Sequence, residues 1–187
     1  FKVNLFQYFS LRDKFMKVFL VGPMGTGKST TGRNLSEKLD YDFYDTDKLI
    51  EKAEGRKIKD IFEQDGEDYF RQKESKALSE TKTLQKAVIA TGGGIVEREE
   101  NRLFLEYEDK VIFLDSSPER QYERTKNSKK RPLLNYGDGL EILKKLYEKR
   151  INFYEAVSKK KISMDNLNTE EILKKIINFL DEWKSLK

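Results

Sequence analysis

The sequence has no cysteine and no histidine among its 187 residues. Without cysteine there can be no disulfide, no thiolate nucleophile and no cysteine-ligated zinc site. Without histidine the commonest general base and the commonest transition-metal ligand are excluded, so a proton acceptor has to be a carboxylate or a lysine. The lack of cysteine also fits a reducing compartment, and we expect a cytoplasmic protein.

Long apolar runs and a strong charge bias are missing as well. No apolar run approaches the ~18 residues that a membrane-spanning helix needs, and the first residues lack the layout of a signal peptide. The 37 Lys and Arg nearly balance the 33 Asp and Glu, too small an excess to indicate nucleic-acid binding. We therefore expect a monomer with neither a membrane nor a nucleic acid as partner.

The length is that of one domain with a real core. Residues 16–187 are expected to form this domain. Residues 1–15 are rich in aromatic side chains but follow no clear period, and we interpret them as an N-terminal extension to which the sequence assigns no role.

A glycine-rich segment follows the apolar residues 18–21 and precedes a helical pattern. It matches G-x-x-x-x-G-K-[ST] and reads Gly22-Pro23-Met24-Gly25-Thr26-Gly27-Lys28-Ser29. The glycines let successive backbone N–H groups turn toward an anion, and the following helix directs its positive dipole end to the same place. Lys28 supplies a charge for phosphates, and the Ser29 hydroxyl suits Mg²⁺. A phosphate-binding P-loop is predicted; an ordinary glycine-rich turn is the alternative.

Apolar segments alternate with helical patterns along the rest of the chain. Strands are predicted at residues 18–21, 41–45, 87–90, 111–114 and 162–164. This alternation predicts an α/β fold, specifically a three-layer P-loop fold whose five-stranded parallel sheet is flanked by helices and binds ligands at the carboxyl ends of its strands. Residues 124–139 are mostly polar and basic, and we interpret them as a mobile lid.

Two aspartates lie at the end of the second predicted strand. On an extended backbone Asp45 and Asp47 point to the same side, so one carboxylate could hold Mg²⁺ beside Ser29 while the other accepts a proton from a substrate hydroxyl. A polar turn with a helix cap is the alternative. Asp115 follows the fourth strand as a Walker B aspartate would, but we interpret it as a strand-end or helix-capping residue because Asp45 already offers the second carboxylate.

Three consecutive glycines follow the third predicted strand. Gly92, Gly93 and Gly94 would bring bare backbone to the same edge of the sheet, where N–H groups can reach a small ligand without obstruction by side chains. A flexible loop is the alternative, which the buried strand directly before the glycines disfavours.

Several arginines are predicted to reach that edge. We expect Arg71, Arg131 and Arg150 to face one cleft and to bind an acidic substrate, because a guanidinium binds a carboxylate bidentately and a lid arginine suits the transferring phosphoryl group. Arg124 could stack on adenine or bind phosphate. Each of them taken alone could also be a solvated side chain.

These motifs occur in the order found in shikimate kinases. The chain resembles that family over about residues 17–157. The matching segments are residues 22–30, Asp45-Thr46-Asp47, the stretch from Gly55 to Arg71, residues 90–94, Arg131-Pro132-Leu133-Leu134, and Arg150 with Tyr154. At residues 165–168, where family members often carry an arginine or proline beside adenine, this chain has neither.

The resemblance implies an ATP-dependent kinase that phosphorylates the 3-hydroxyl of shikimate in chorismate and aromatic amino-acid biosynthesis. Asp47 would contact the shikimate hydroxyls as the candidate base. Arg71 and Arg150 would bind the carboxylate, and the three glycines would line the acceptor pocket.

The resemblance also implies how ATP and Mg²⁺ are bound. Ser29 with Asp45 would serve Mg²⁺, Arg124 would flank the nucleotide, and the lid residue Arg131 would stabilise the transferring charge. The residues expected to bind the phosphates are Gly25, Thr26, Gly27, Lys28, Ser29 and Thr30.

Two other functions stay open at this point. Another small-molecule kinase, such as one for gluconate, would share the P-loop and lid but would not require the arginines. A nucleotide switch or RNA-binding NTPase belongs to a different class, yet no N-K-x-D guanine-reading motif occurs and the basic cluster lies in the predicted lid.

Overall fold

The computed structural model describes residues 16–126 and 138–185. The predicted N-terminal extension, residues 1–15, lies outside the described residues. So do most of the predicted lid and its Arg131.

The described residues form a single parallel sheet. Its strands are β1 (Lys17–Val21), β2 (Asp42–Asp45), β3 (Ala87–Ala90), β4 (Val111–Asp115) and β5 (Lys160–Ser163), in the order β2-β3-β1-β4-β5. All four strand pairings are parallel. The predicted five-stranded parallel sheet is therefore confirmed.

Helices cover both faces of the sheet. They are α1 (Lys28–Leu39), α2 (Thr46–Glu54), α3 (Ile58–Glu80), α4 (Glu99–Glu106), α5 (Pro118–Thr125), α6 (Gly139–Val157) and α7 (Thr169–Ser185), with a short 3₁₀ turn at Thr81–Thr83 after α3. One face packs against α1 and α7, and the other against α3, α4 and α6. These are the three layers that the sequence predicts. Within the described part of the chain, no helix is long and apolar enough to cross a membrane.

The central strand β1 is buried on both sides. Val18 and Leu20 belong to the core cluster on the α1 and α7 side, whereas Phe19 and Val21 belong to the opposite cluster. A run of consecutive apolar residues is what a strand needs when both of its faces are covered. Full burial of each such side chain stabilises the fold by roughly 1.5–3 kcal/mol.

Local signals explain several helix boundaries. At the start of α7, the backbone N–H of Glu171 donates to Asn168 Oδ1 at 3.0 Å and that of Asn168 donates to Glu171 Oε2 at 2.8 Å, which together form a capping box. Gly66 interrupts α3 with φ 82° and ψ 177°, a conformation that favours glycine. The residues on either side of Gly66 therefore form one kinked helix.

The two ends of the predicted lid lie in helices. Arg124 and Thr125 form the last turn of α5, and Gly139 is the first residue of α6, capped by Asp138 Oδ1 through the N–H of Leu140 at 3.0 Å. The polarity of residues 124–125 suggested that they belong to a loop. Thr125 is buried, however, and its hydroxyl donates to the carbonyl of Gln121, so these polar residues belong to a packed helix.

Candidate active site

The predicted site segments meet at one edge of the sheet. Strands β2, β3 and β1 are neighbours. At their carboxyl ends lie Asp45, the three glycines and the P-loop, respectively. Ligands bind at this edge in open parallel sheets.

The P-loop has the curled backbone that its glycines permit. Gly25 and Gly27 adopt left-handed conformations with φ of 77° and 88°, and Gly27 caps the N-terminus of α1. The Nζ of Lys28 donates to the carbonyl oxygens of Gly22 and Pro23, both at 2.7 Å. The loop thus positions a buried ammonium group and the N-terminus of α1 together, as an anion site requires.

Three further residues that are predicted to contact the nucleotide lie next to this loop. Arg124 Nη1 donates to the carbonyl of Gly25 at 3.3 Å and to that of Thr26 at 3.4 Å, so α5 lies against the P-loop. Ser29 and Thr30 lie exposed in the first turn of α1.

A hydroxyl and a carboxylate meet beside the P-loop. Ser29 Oγ donates to Asp45 Oδ2 at 2.6 Å. These are two adjacent hard oxygens, and Mg²⁺ commonly takes only one or two ligands from a protein, leaving its other positions to water and phosphate oxygens. Among the described residues, no cluster of three or more carboxylate, histidine or cysteine side chains could hold a metal. The residues present fit Mg²⁺ held chiefly by its nucleotide.

Asp45 and Asp47 do not share an extended backbone, and that expectation is wrong. Strand β2 ends at Asp45, whose Oδ1 caps α2 by accepting from the N–H groups of Asp47 at 3.1 Å and Lys48 at 3.3 Å. Asp47 therefore lies in the first turn of α2. The helix cap that the sequence offered as an alternative coexists with the contact of Asp45 to Ser29.

The three glycines make room for charged side chains. A Cβ on Gly92 would lie 2.6 Å from both Asp47 Oδ1 and Glu74 Oε1, and a Cβ on Gly94 would lie 1.9 Å from Arg71 Nη1. Any side chain at either position would collide with these groups. The glycine run is thus a closely packed wall of the site, not a flexible loop.

Arg71 is buried and held by carboxylates of its own helix. Its Nε and Nη2 donate to Glu67 Oε1 at 3.2 and 2.8 Å, and its Nη1 donates to Glu74 Oε2 at 2.5 Å. Burial alone would lower the pKa of Arg71, but the charge and hydrogen bond of Glu74 outweigh it and raise this pKa. The guanidinium stays charged and fixed in orientation.

Arg150 reaches the same place from α6. Its Nε donates to Glu97 Oε1 at 2.8 Å and its Nη2 donates to the same oxygen, which lies 3.5 Å from Arg71 Nη2. The structure thus brings together two arginines that are far apart in the sequence. Arg71 and Arg150 thus meet at Glu97, while Arg131, the third arginine expected to face this cleft, lies outside the described residues.

Glu74 is a buried acid that the sequence analysis missed. Burial raises its pKa to about 7, the negative charge of Asp47 acts in the same direction, and Arg71 acts against both. Its Oε1 has no hydrogen-bond partner among the described residues. The spacing of Glu67 and Glu74, four residues before and three after Arg71, is a helical ion-pair signal that could have identified them.

Asp115 and Asp165 each have structural contacts. Asp115 Oδ1 accepts from the hydroxyl of Tyr147 at 2.9 Å and its Oδ2 lies 3.2 Å from Lys161 Nζ. It is a strand-end residue, as expected, whereas Ser117 caps α5. Asp165 Oδ1 accepts from the hydroxyl of Ser116 at 2.6 Å, tying the segment after β5 to the end of β4.

The chain is similar to known proteins over most of its length. The family model described as "Shikimate kinase" matches residues 24–181. A shikimate kinase of Buchnera aphidicola is 43% identical over 166 residues, which cover 88% of this chain and 96% of the relative. The chain belongs to the shikimate kinase family. The predicted family is confirmed, and with it the class of enzyme, a kinase.

Solved structures of the family extend the agreement to the fold. The shikimate kinase from Acinetobacter baumannii in complex with shikimate superposes with a TM-score of 0.88 at 34% identity, covering 93% of this chain and 97% of the other. A gluconokinase from Sinorhizobium meliloti reaches a TM-score of 0.55 at 17% identity, covering 90% and 93%. At that identity the likeness shows a common fold and no more, whereas shikimate kinases are similar in both sequence and structure.

Proposed function

We propose that the chain transfers the γ-phosphoryl group of ATP to the 3-hydroxyl of shikimate, giving shikimate 3-phosphate and ADP, in chorismate and aromatic amino-acid biosynthesis. Family membership supports the reaction. The observation that carries the substrate assignment is the convergence of Arg71 and Arg150 on one carboxylate oxygen, Glu97 Oε1. A pair of guanidiniums that meets one carboxylate can bind another.

The acceptor is proposed to bind between α2, α3, α6 and the glycine wall. Its carboxylate would bind Arg71 and Arg150, and its hydroxyls would face Asp47 and the backbone of Gly92, Gly93 and Gly94. In this arrangement the Asp47 carboxylate accepts the proton of the 3-hydroxyl as that oxygen attacks phosphorus. Holding the acid at one end fixes which hydroxyl meets Asp47.

The nucleotide phosphates are proposed to bind the P-loop. Lys28 and the N-terminus of α1 supply positive charge, and Arg124 supports the loop from α5. The backbone or side chains that would bind the phosphates belong to Gly25, Thr26, Gly27, Lys28, Ser29 and Thr30. Arg131, which lies outside the described residues, is proposed from its motif to stabilise the transferring charge as part of a lid that keeps out water.

Ser29 and Asp45 are proposed to hold Mg²⁺. When bound, this ion would neutralise charge on the phosphate oxygens. Asp45 is fixed for this by its capping of α2, so its carboxylate cannot turn away from Ser29 without uncapping that helix.

Coupled ADP release tests the reaction. With ATP and Mg²⁺, we expect rapid release with shikimate and slow release with gluconate or with no acceptor. Equal rates with and without shikimate would refute the proposed acceptor, and faster release with gluconate would indicate the rival kinase. Tight RNA binding whose affinity falls steeply with salt concentration would indicate the RNA-binding NTPase alternative.

We also propose that residues 16–187 form a single domain and that the protein is a cytoplasmic monomer with no membrane or nucleic-acid partner. The near-balanced charge supports the last point. Gel filtration at several concentrations tests the monomer, because a mass that rises with concentration would contradict it.

A further inference from the structure

Glu97 lies between the two arginines of the proposed acceptor site. It belongs to the loop between the three glycines and α4, and its side chain is only 15% exposed. Oε1 accepts from Nε and Nη2 of Arg150 and lies 3.5 Å from Arg71 Nη2, while Oε2 accepts from Lys149 Nζ at 2.9 Å. One carboxylate therefore contacts three cationic side chains.

The surrounding cationic side chains stabilise the ionised form of Glu97. Burial alone would raise its pKa, but the hydrogen bond from Lys149 and the charges of Arg150 and Arg71 outweigh burial and hold the pKa below its ordinary value. At neutral pH Glu97 is an anion, like the carboxylate of an acidic substrate.

Glu97 is not what holds Arg71 in place. The Nε, Nη1 and Nη2 groups of Arg71 all donate to Glu67 or Glu74, and the 3.5 Å approach to Glu97 adds only an ion pair. Arg150 is different, because its Nε and Nη2 both donate to Glu97. Those two donors form the edge of a guanidinium that binds a carboxylate bidentately.

We propose that Glu97 is an internal competitor for the substrate carboxylate. This inference rests on the proposed function, in which Arg71 and Arg150 bind that carboxylate. The substrate has to take Nε and Nη2 of Arg150 from Glu97, exchanging one anion for another. Lys149 is 60% exposed and contacts the other oxygen of Glu97, so the displaced carboxylate keeps a cationic partner toward solvent.

Two substitutions at this position test the competition. Glu97→Gln keeps the size but removes the charge, and we expect the KM for shikimate to fall roughly 5- to 30-fold, the factor that corresponds to one or two kcal/mol. Glu97→Asp keeps the charge but shortens the reach, and it should lower the same KM by a smaller factor. In both variants kcat and the KM for ATP should stay near their wild-type values.

Glu100→Gln is the matched control. It removes the same charge nearby, in the first turn of α4, from a side chain that is 60% exposed and paired with Arg98. We expect its KM for shikimate to be unchanged, which would separate the local contact of Glu97 from the net charge. Thermal melts of all variants confirm that each is folded.

The opposite results would overturn the inference. A raised KM in Glu97→Gln would make Glu97 a residue that positions Arg150, and an unchanged KM in both Glu97 variants would mean that it does not compete. The kinetics of Arg150→Leu distinguish a failure of the proposed competition from a failure of the proposed carboxylate site. If Arg150→Leu raises the KM for shikimate and the Glu97 variants do not lower it, only the competition fails; if Arg150→Leu has no effect, the proposed carboxylate site fails with it.

Discussion

Gly94 lies against the guanidinium of Arg71, so closely that a Cβ on Gly94 would stand 1.9 Å from Arg71 Nη1 and 2.4 Å from Cζ. Neither atom could stay where it is beside an alanine. The backbone of Gly94 is not in the left-handed region, so the closeness of Arg71 is what requires glycine here.

We expect Gly94→Ala to displace Arg71 and to raise the KM for shikimate by about 10- to 100-fold, the scale of effect of a 1 Å misplacement at a site. The KM for ATP should change little, because the P-loop contacts do not involve Gly94. Steady-state kinetics with each substrate varied in turn measures both. A folded Gly94→Ala variant with the wild-type KM for shikimate would show that Arg71 does not bind it.

Much of the fold could be predicted because its signals are local. The four apolar residues of β3 and the apolar run of β1 indicate doubly covered strands, and the P-loop marks the turn from β1 into α1. The contacts of Glu97 were not predictable in this way, since its hydrogen bond to Arg150 joins residues 53 positions apart. The position of Asp47 was missed because Asp45 caps α2, so the chain enters a helix at Thr46 instead of staying extended as far as Asp47.

Asp47→Asn tests the proposed proton acceptor. An amide of the same shape cannot take the proton of the 3-hydroxyl, and we expect kcat to fall roughly 10²- to 10⁴-fold. The thermal unfolding midpoint should remain close to that of the wild type or rise, because loss of the Asp47 charge relieves its repulsion with buried Glu74. A near-normal kcat would remove Asp47 from the mechanism.

Glu74 should make the stability of the protein depend on pH. Its pKa is raised from 4.5 to about 7 in the folded chain, so the folded state keeps a proton that the unfolded state releases. The resulting stabilisation is fully present below about pH 4.5 and is lost as the pH rises through about 7.

Denaturant unfolding of the wild type and of Glu74→Gln measures this dependence. The amide does not titrate, so the free energy of unfolding of the wild type relative to the variant should fall by on the order of 1–3 kcal/mol as the pH rises across that window. If the difference in unfolding free energy between wild type and variant stays constant with pH, Glu74 has the same pKa in the folded and unfolded states.

Ser29→Ala should weaken the binding of Mg²⁺. The substitution removes the hydroxyl that contacts Asp45 Oδ2 at 2.6 Å, and we expect the half-saturating Mg²⁺ concentration to rise about tenfold, the equivalent of ~1.4 kcal/mol. ADP release at increasing Mg²⁺ measures it, and chelation of the metal should stop turnover. Ser79→Ala, which removes an exposed hydroxyl on α3, serves as control; equal Mg²⁺ dependence in the two variants would argue against the site.

The assignment of Arg150 to the substrate carboxylate is tested most directly by comparing shikimate with its uncharged methyl ester in the wild type and in Arg150→Leu. In the wild type we expect kcat/KM for the acid to exceed that for the ester by roughly 100-fold, because removing one partner of a buried charge pair costs ~2–5 kcal/mol. In Arg150→Leu the two values should come close together. If the substitution lowered both by the same factor and left the ratio intact, Arg150 would not be the residue that binds the carboxylate.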